Sequence, residues 1–149
     1  MTIEFYSQLA NGYQCFSNMY PAQFYLGGFG FYSNEHFFQF SKFIDTDAVW
    51  ARKIMHEPNP FKVKRMGGDR SHPIRQDWDY IKPTFMKIGL RAKFTTHSNL
   101  LRLLQNTKDE ILIEAKSRDL YWGYNSRTSQ GQNMMGRCLM EVRAELKLL

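Results

Sequence analysis

The stretch Phe31-Tyr-Ser-Asn-Glu-His-Phe-Phe-Gln-Phe-Ser-Lys-Phe43 constrains this chain more than any other. Its five phenylalanines need a core, and Ser33 or Asn34 can cap a helix that starts beside them. At about 100° per residue, Glu35, Gln39 and Lys42 fall at roughly 0°, 40° and 340° around that helix. They form one narrow polar stripe, with Phe38 and Phe43 on its shoulders and Phe37 and Phe40 turned away. Two readings are open. A Glu and a Lys on one face commonly make a solvated stripe that does little. A carboxylate, an amide and an amine inside an apolar frame can also be the floor of a site.

The rest of the chain supplies short elements around that helix. Ile3 to Tyr6 reads as a first strand, and a loop runs on to Cys15-Phe16-Ser17-Asn18. Gln23 to Tyr32 reads as a hairpin turning at Gly27-Gly28. Ala48, Trp50, Ala51, Ile54 and Met55 mark a second helix, which Pro58 and Pro60 stop. Asn59-Pro60 caps a short third helix ending at Gly67-Gly68. The longest helical pattern runs from Asp77-Trp78-Asp79 through Met86, Leu90 and Phe94, with Pro83 either at its start or at a bend. A short helix over Leu100 to Gln105, a strand at Ile111 to Ile113 and a loop from Arg118 to Gln132 follow. Asn133 to Leu148 closes the chain as an amphipathic helix. The expectation is one α+β domain over residues 1–149, mostly helical, with a small antiparallel sheet.

Composition removes several classes. No run of about 18 apolar residues occurs, so no membrane span is expected. The first residues have neither a basic nor an apolar export signal, and two cysteines make no disulfide framework. The expectation is a protein of the reducing cytoplasm with two thiols. His36, His56, His72 and His97 show no metal spacing, so no metal and no cofactor are expected. A net charge of +6 favours anionic partners such as phosphates, nucleotides or nucleic acid.

Three further places carry candidate chemistry. In Arg65-Met-Gly-Gly-Asp69-Arg70, backbone N–H groups after a basic helix could approach a phosphate, or the glycines could simply end the helix. The P-loop ending is missing. Asp119-Leu-Tyr-Trp122-Gly123 sets a carboxylate and two aromatic rings in a loop, where Trp122 can stack on a base or pin the loop to the core. Trp78, between two aspartates at a helix start, reads first as packing. No nucleophile elbow is present.

Six motifs, in order, then resemble the YbiA-like or NADAR family. They are Phe16-Ser-Asn18, Ser33-x-Glu-His36 with Gln39 and Lys42-Phe43, Arg65-Met-Gly67, Leu90-Arg-Ala-Lys-Phe94, Asp119-x-Tyr-Trp-Gly123, and Asn133-x-x-Gly136-x-x-Leu-Met140. The resemblance covers Phe5 to about Leu146. It implies the YbiA-like fold and an N-glycosidase that hydrolyses a ribosyl bond to an exocyclic amine. Some such proteins remove ADP-ribose from guanine in nucleic acid; others cleave phosphoribosylamino-pyrimidine intermediates of riboflavin synthesis. It implies Glu35, Lys42 and Asp119 as catalytic positions. As substrate-binding positions it implies Asn18, Ser33, Gln39, Arg65, Gly67, Trp78, Trp122, Gly123 and Asn133. Where some relatives have an acidic residue and a glycine-rich loop, this chain has Tyr124-Asn-Ser-Arg127, and Arg127 is expected to grip phosphate.

The expected substrate is therefore ADP-ribosylated guanine as nucleotide or nucleic acid, with a small phosphorylated ribosylamine as the alternative. A reading of another class is a non-catalytic ADP-ribose or nucleotide-binding module. Glu35 and Lys42 together argue against it, because binding alone needs neither. Both substrate classes are N,O-aminals at ribose C1. Such a bond breaks through an oxocarbenium ion steadied by a carboxylate, or by ring opening to an imine that an amine can capture. Burial lowers the pKa of Lys42 and Glu35 raises it, so the sequence leaves the charge of the amine open.

Overall fold

The computed structural model describes residues 1–115 and 118–147. They fall into two compact units, Pro21–Thr96 and the remainder of the chain on either side of it. The architecture is α+β and mostly helical.

Residues 21–96 hold the first unit. Strands β1 (Phe24–Leu26) and β2 (Phe29–Phe31) pair antiparallel, with Leu26 opposite Phe29, across the expected Gly27-Gly28 turn. Both glycines have positive φ, +59° and +84°, which a two-residue hairpin of the right twist requires. Helix α1 (Asn34–Phe43) follows at once. The Ser33 hydroxyl accepts from the His36 amide and caps it. Helix α2 (Ala48–His56) is capped by Asp47, and α3 (Pro60–Gly67) by Asn59 with proline in its first turn. Helix α4 (Trp78–Thr96) begins ahead of Pro83, which lies inside it.

Around α1 the core is aromatic. Phe24, Phe31, Phe37, Phe40 and Phe43 pack with Ala51, Ile54, Met55 and Val63, and α2, α3 and α4 each contact α1. Phe31 meets Phe37 and Phe40 edge to face at 5.3 and 5.1 Å. Every residue of α1 is buried as a result.

The second unit contains β3 (Thr2–Phe5), α5 (Ser98–Asn106), β4 (Ile111–Glu114) and α6 (Met134–Leu146). In addition to the expected antiparallel pair, the chain has a parallel one in this unit: β3 and β4 align Thr2 with Ile111 and Phe5 with Glu114. Leu148, the expected end of the last helix, lies outside the described residues. Cys15 and Cys138 are both buried. No helix among the described residues is long and apolar enough to cross a membrane.

Candidate active site

Burial decides between the two readings of the α1 stripe. Glu35, Gln39 and Lys42 are only 6%, 5% and 7% exposed, so the stripe is not a solvated face. Glu35 and Gln39 are one helical turn apart, and the Gln39 Nε2 donates to Glu35 Oε1 at 2.7 Å. The other end of that amide, Oε1, is buried with no hydrogen-bond partner among the described residues. A buried acceptor without a donor costs about 1–3 kcal/mol, so its retention asks for a reason.

Lys42 lies on the same face near the end of α1. Its Nζ donates to the Gly67 carbonyl at 3.1 Å and sits 5.6 Å from the Trp78 ring centroid. Trp78 is itself held by Phe38 at 4.9 Å and Phe85 at 5.9 Å. Removal from water lowers the Lys42 pKa from 10.5 to about 8, helped by the nearby Arg70 charge and opposed by Glu35. The question the sequence left open is thereby answered: desolvation outweighs the carboxylate. A substantial fraction of the amine is neutral near pH 8.

Gly67 ties these groups together. Its carbonyl accepts from Lys42 and also from the Arg70 guanidinium at 3.0 Å. Its Cα lies against Gln39, and a Cβ there would stand 1.9 Å from Gln39 Oε1. Any larger residue must push the Gln39 amide aside and so release Glu35. Gly67→Ala should therefore lower kcat about ten- to a hundredfold and destabilise the fold by about 1–3 kcal/mol. In a Gln39→Ala background the same substitution should cost little more, since the clash has gone; a double-mutant cycle measures this. Additive losses would show that the contact is not the cause.

The remaining expected positions fall into different settings. Gly68 and Asp69 spend their amides on the Arg65 and Met66 carbonyls, so Gly68 acts as the C-cap of α3. Arg65 is exposed and makes no side-chain hydrogen bond among the described residues. Ser33 is committed to His36 on both sides. Its oxygen accepts from the His36 amide, and its hydroxyl meets Nδ1 at 2.7 Å. His36 Nε2 faces the Glu57 carbonyl at 2.5 Å and must donate there, which leaves Nδ1 to accept. Burial holds the His36 pKa below 6.5, so the ring is a neutral brace for the helix start.

In the second unit, Asn18 is buried just after a 3-10 turn, Gln14–Phe16. Asp119 Oδ1 accepts from the Tyr121 and Trp122 amides at 3.0 and 2.9 Å, which forms a side-chain turn. Its other carboxylate oxygen makes no hydrogen bond among the described residues. Trp122 is half-buried and meets Tyr121 edge to face, while Gly123 is buried. The carbonyls of Leu120 to Gly123 accept from the amides of Gln132 to Met135, so this loop caps α6. Arg127 is exposed in a groove with Glu4, Tyr6, Tyr124 and Ser126. Asn133 has a left-handed backbone, φ +52°, and both ends of its amide are bound to β4 at Leu112 and Glu114. The Asn-x-x-Gly spacing has the same origin: a Cβ on Gly136 would be 2.0 Å from the Leu112 carbonyl.

The structure brings five of the expected positions, Glu35, Gln39, Lys42, Gly67 and Trp78, together in the first unit. Arg70, which stands beside them on the Gly67 carbonyl, is not among the expected positions. The signal available was slight: a basic residue three positions after the helix-ending glycine, on a segment assessed only for its backbone amides.

Comparison with known proteins bears on this cluster. The NADAR domain model matches residues 4–147. The N-glycosidase YbiA of Escherichia coli is 36% identical over 146 residues, covering 98% of this chain and 89% of that protein. Its NMR structure superposes with a TM-score of 0.88 and covers 99% of this chain. An N-glycosidase of Nostoc punctiforme is 33% identical over 150 residues, covering 95% of its length. The chloroplastic riboflavin biosynthesis protein PYRR of Zea mays is 34% identical over 120 residues, 75% of this chain but 19% of PYRR.

Proposed function

The chain belongs to the NADAR domain family, and from that premise we propose that it is an N-glycosidase whose reaction centre is Glu35 with Lys42. One observation carries the reading: a buried amine with a pKa near 8 stands on the same buried helix face as a carboxylate held by Gln39. Structural lysines on a surface keep an ordinary pKa; a lysine tuned toward neutrality is suited to attack carbon.

The bond it would cleave joins ribose C1 to an exocyclic amine. Ring opening breaks the bond from C1 to the ring oxygen as the nitrogen lone pair forms a C=N bond. The ring oxygen takes a proton. Neutral Lys42 then adds to C1, and the base amine leaves with a proton relayed by Glu35. The resulting lysine imine is hydrolysed by water, which returns the free sugar and the amine. Gln39 orients Glu35 through Nε2.

We take ADP-ribosylated guanine, in nucleic acid or nucleotide, as the substrate, in keeping with the net charge of +6. A phosphoribosylamino-pyrimidine of riboflavin synthesis is the second reading, favoured by the name of the PYRR relative. The test incubates the protein with ADP-ribosyl-guanine oligonucleotide, phosphoribosylamino-uracil and NAD, and reads released sugar by mass spectrometry. Release from the first or the second, with NAD inert because its pyridinium nitrogen lacks the lone pair, is expected. Release from neither would favour a binding module. Cleavage of the oligonucleotide that falls steeply with salt would identify nucleic acid as the partner.

A further inference from the structure

Two cations share one neutral oxygen beside the proposed reaction centre. Lys42 Nζ and an Arg70 guanidinium nitrogen both donate to the Gly67 carbonyl, at 3.1 and 3.0 Å. They therefore lie within about 6 Å of one another, where like charges repel appreciably. A carbonyl dipole does not neutralise that repulsion, and it is felt, since Arg70 is the largest charge effect on Lys42. Lys82, which also repels Lys42, is bound to Asp79 at 3.3 Å. Asp69, next in sequence to Arg70, turns its Oδ1 to the Ser71 amide and hydroxyl. Among the described residues Arg70 forms no salt bridge or hydrogen bond with a carboxylate; Asp69 feels its charge without bonding to it.

Arg70 is exposed, and only one of its N–H groups is used on Gly67. The Gly67 bond fixes one end of a planar fork and leaves the other edge free. Such an edge matches two oxygens of a phosphate better than any other common anion donor. We propose that Arg70 recognises the phosphate on C5 of the substrate ribose, setting the preference of this site for phosphorylated over unphosphorylated ribosylamines. The proposal rests on the N-glycosidase reading of the same site. It gives Arg70 a part that the sequence offered to backbone amides after α3 as one of two readings, and expected of Arg127; the helix end already occupies those amides.

The experiment compares kcat/KM for a 5-phosphorylated ribosylamine and its dephosphorylated form in wild type, Arg70→Gln and Arg70→Lys. Loss of a bidentate charged contact is worth roughly a hundredfold. The wild-type preference for the phosphorylated substrate should fall by about that factor in Arg70→Gln and only partly in Arg70→Lys. A change in the Lys42 pKa acts on both substrates alike and cancels in the ratio. An unchanged ratio in Arg70→Gln would overturn the proposal, whatever the absolute rates. Ribose 5-phosphate titrated calorimetrically separates this from the wider reading. If wild type turns over neither substrate, the N-glycosidase reading fails, while tenfold weaker sugar-phosphate binding by Arg70→Gln would still support the Arg70 assignment. Equal binding by wild type and variant would refute it.

Discussion

Lys42→Met should give a protein that is more stable and nearly inactive. Methionine has similar length and no charge, so it fills the space over Trp78 without demanding the Gly67 carbonyl, which keeps its bond from Arg70. With the nucleophile gone, turnover of a ribosylamine should fall about 10⁴-fold, and borohydride should trap no sugar on the chain. An adduct that survives in the variant would remove Lys42 from the mechanism.

The stability gain follows from the same pKa. The Lys42 amine releases its proton near pH 8 in the fold and at 10.5 when unfolded. Between those values the unfolded chain binds more protons, so wild-type stability rises with pH through that window. Below pH 8 the buried cation imposes its full cost, on the order of 3 kcal/mol. Lys42→Met should therefore be more stable than wild type by about 1–3 kcal/mol at pH 7, with the advantage shrinking between pH 8 and 10.5. Urea unfolding at several pH values measures it. For wild type, kcat/KM should rise with pH, reach half its limit near 8 and level off above that as the amine becomes neutral. A gain that does not vary with pH would mean that packing, not charge, separates the two proteins.

The part of this site written in the sequence is the part held by neighbours along the chain. Helix spacing puts Glu35 and Gln39 one turn apart, and they bond. Ser33, Asn59-Pro60 and Gly27-Gly28 are local signals for caps and a hairpin, and each falls where its chemistry directs. What was not legible depends on residues far apart in the chain. The parallel pairing of β3 with β4 joins Thr2 to Ile111, and nothing in either tetrapeptide announces the other. Gly67 looked like a helix stop; only the fold shows its Cα against Gln39 and its carbonyl under two cations. The resemblance singles out Asn133 without a reason for it. In the fold its amide replaces a strand partner for β4, a role that no local pattern encodes.

Glu35→Gln separates two parts that the carboxylate could play. The amide keeps an oxygen able to accept from Gln39 Nε2, so the helix face should hold its geometry. What disappears is the negative charge and the capacity to move a proton. Without that charge, a factor that raises the Lys42 pKa is lost, so the variant's amine should titrate below 8 and be more neutral at pH 7. Were Glu35 only an electrostatic neighbour of Lys42, the variant would be as active as wild type at pH 7 or more so. If Glu35 carries the proton to the leaving amine and activates water against the lysine imine, kcat should fall about 10²–10⁴-fold at every pH. The residual activity should then show its limb at lower pH than wild type. Borohydride trapping adds an independent reading of the same variant. With imine hydrolysis slowed more than imine formation, trapped sugar should accumulate on Glu35→Gln beyond the wild-type level. A variant with full turnover would remove the carboxylate from the chemistry and leave Lys42 to act with water alone.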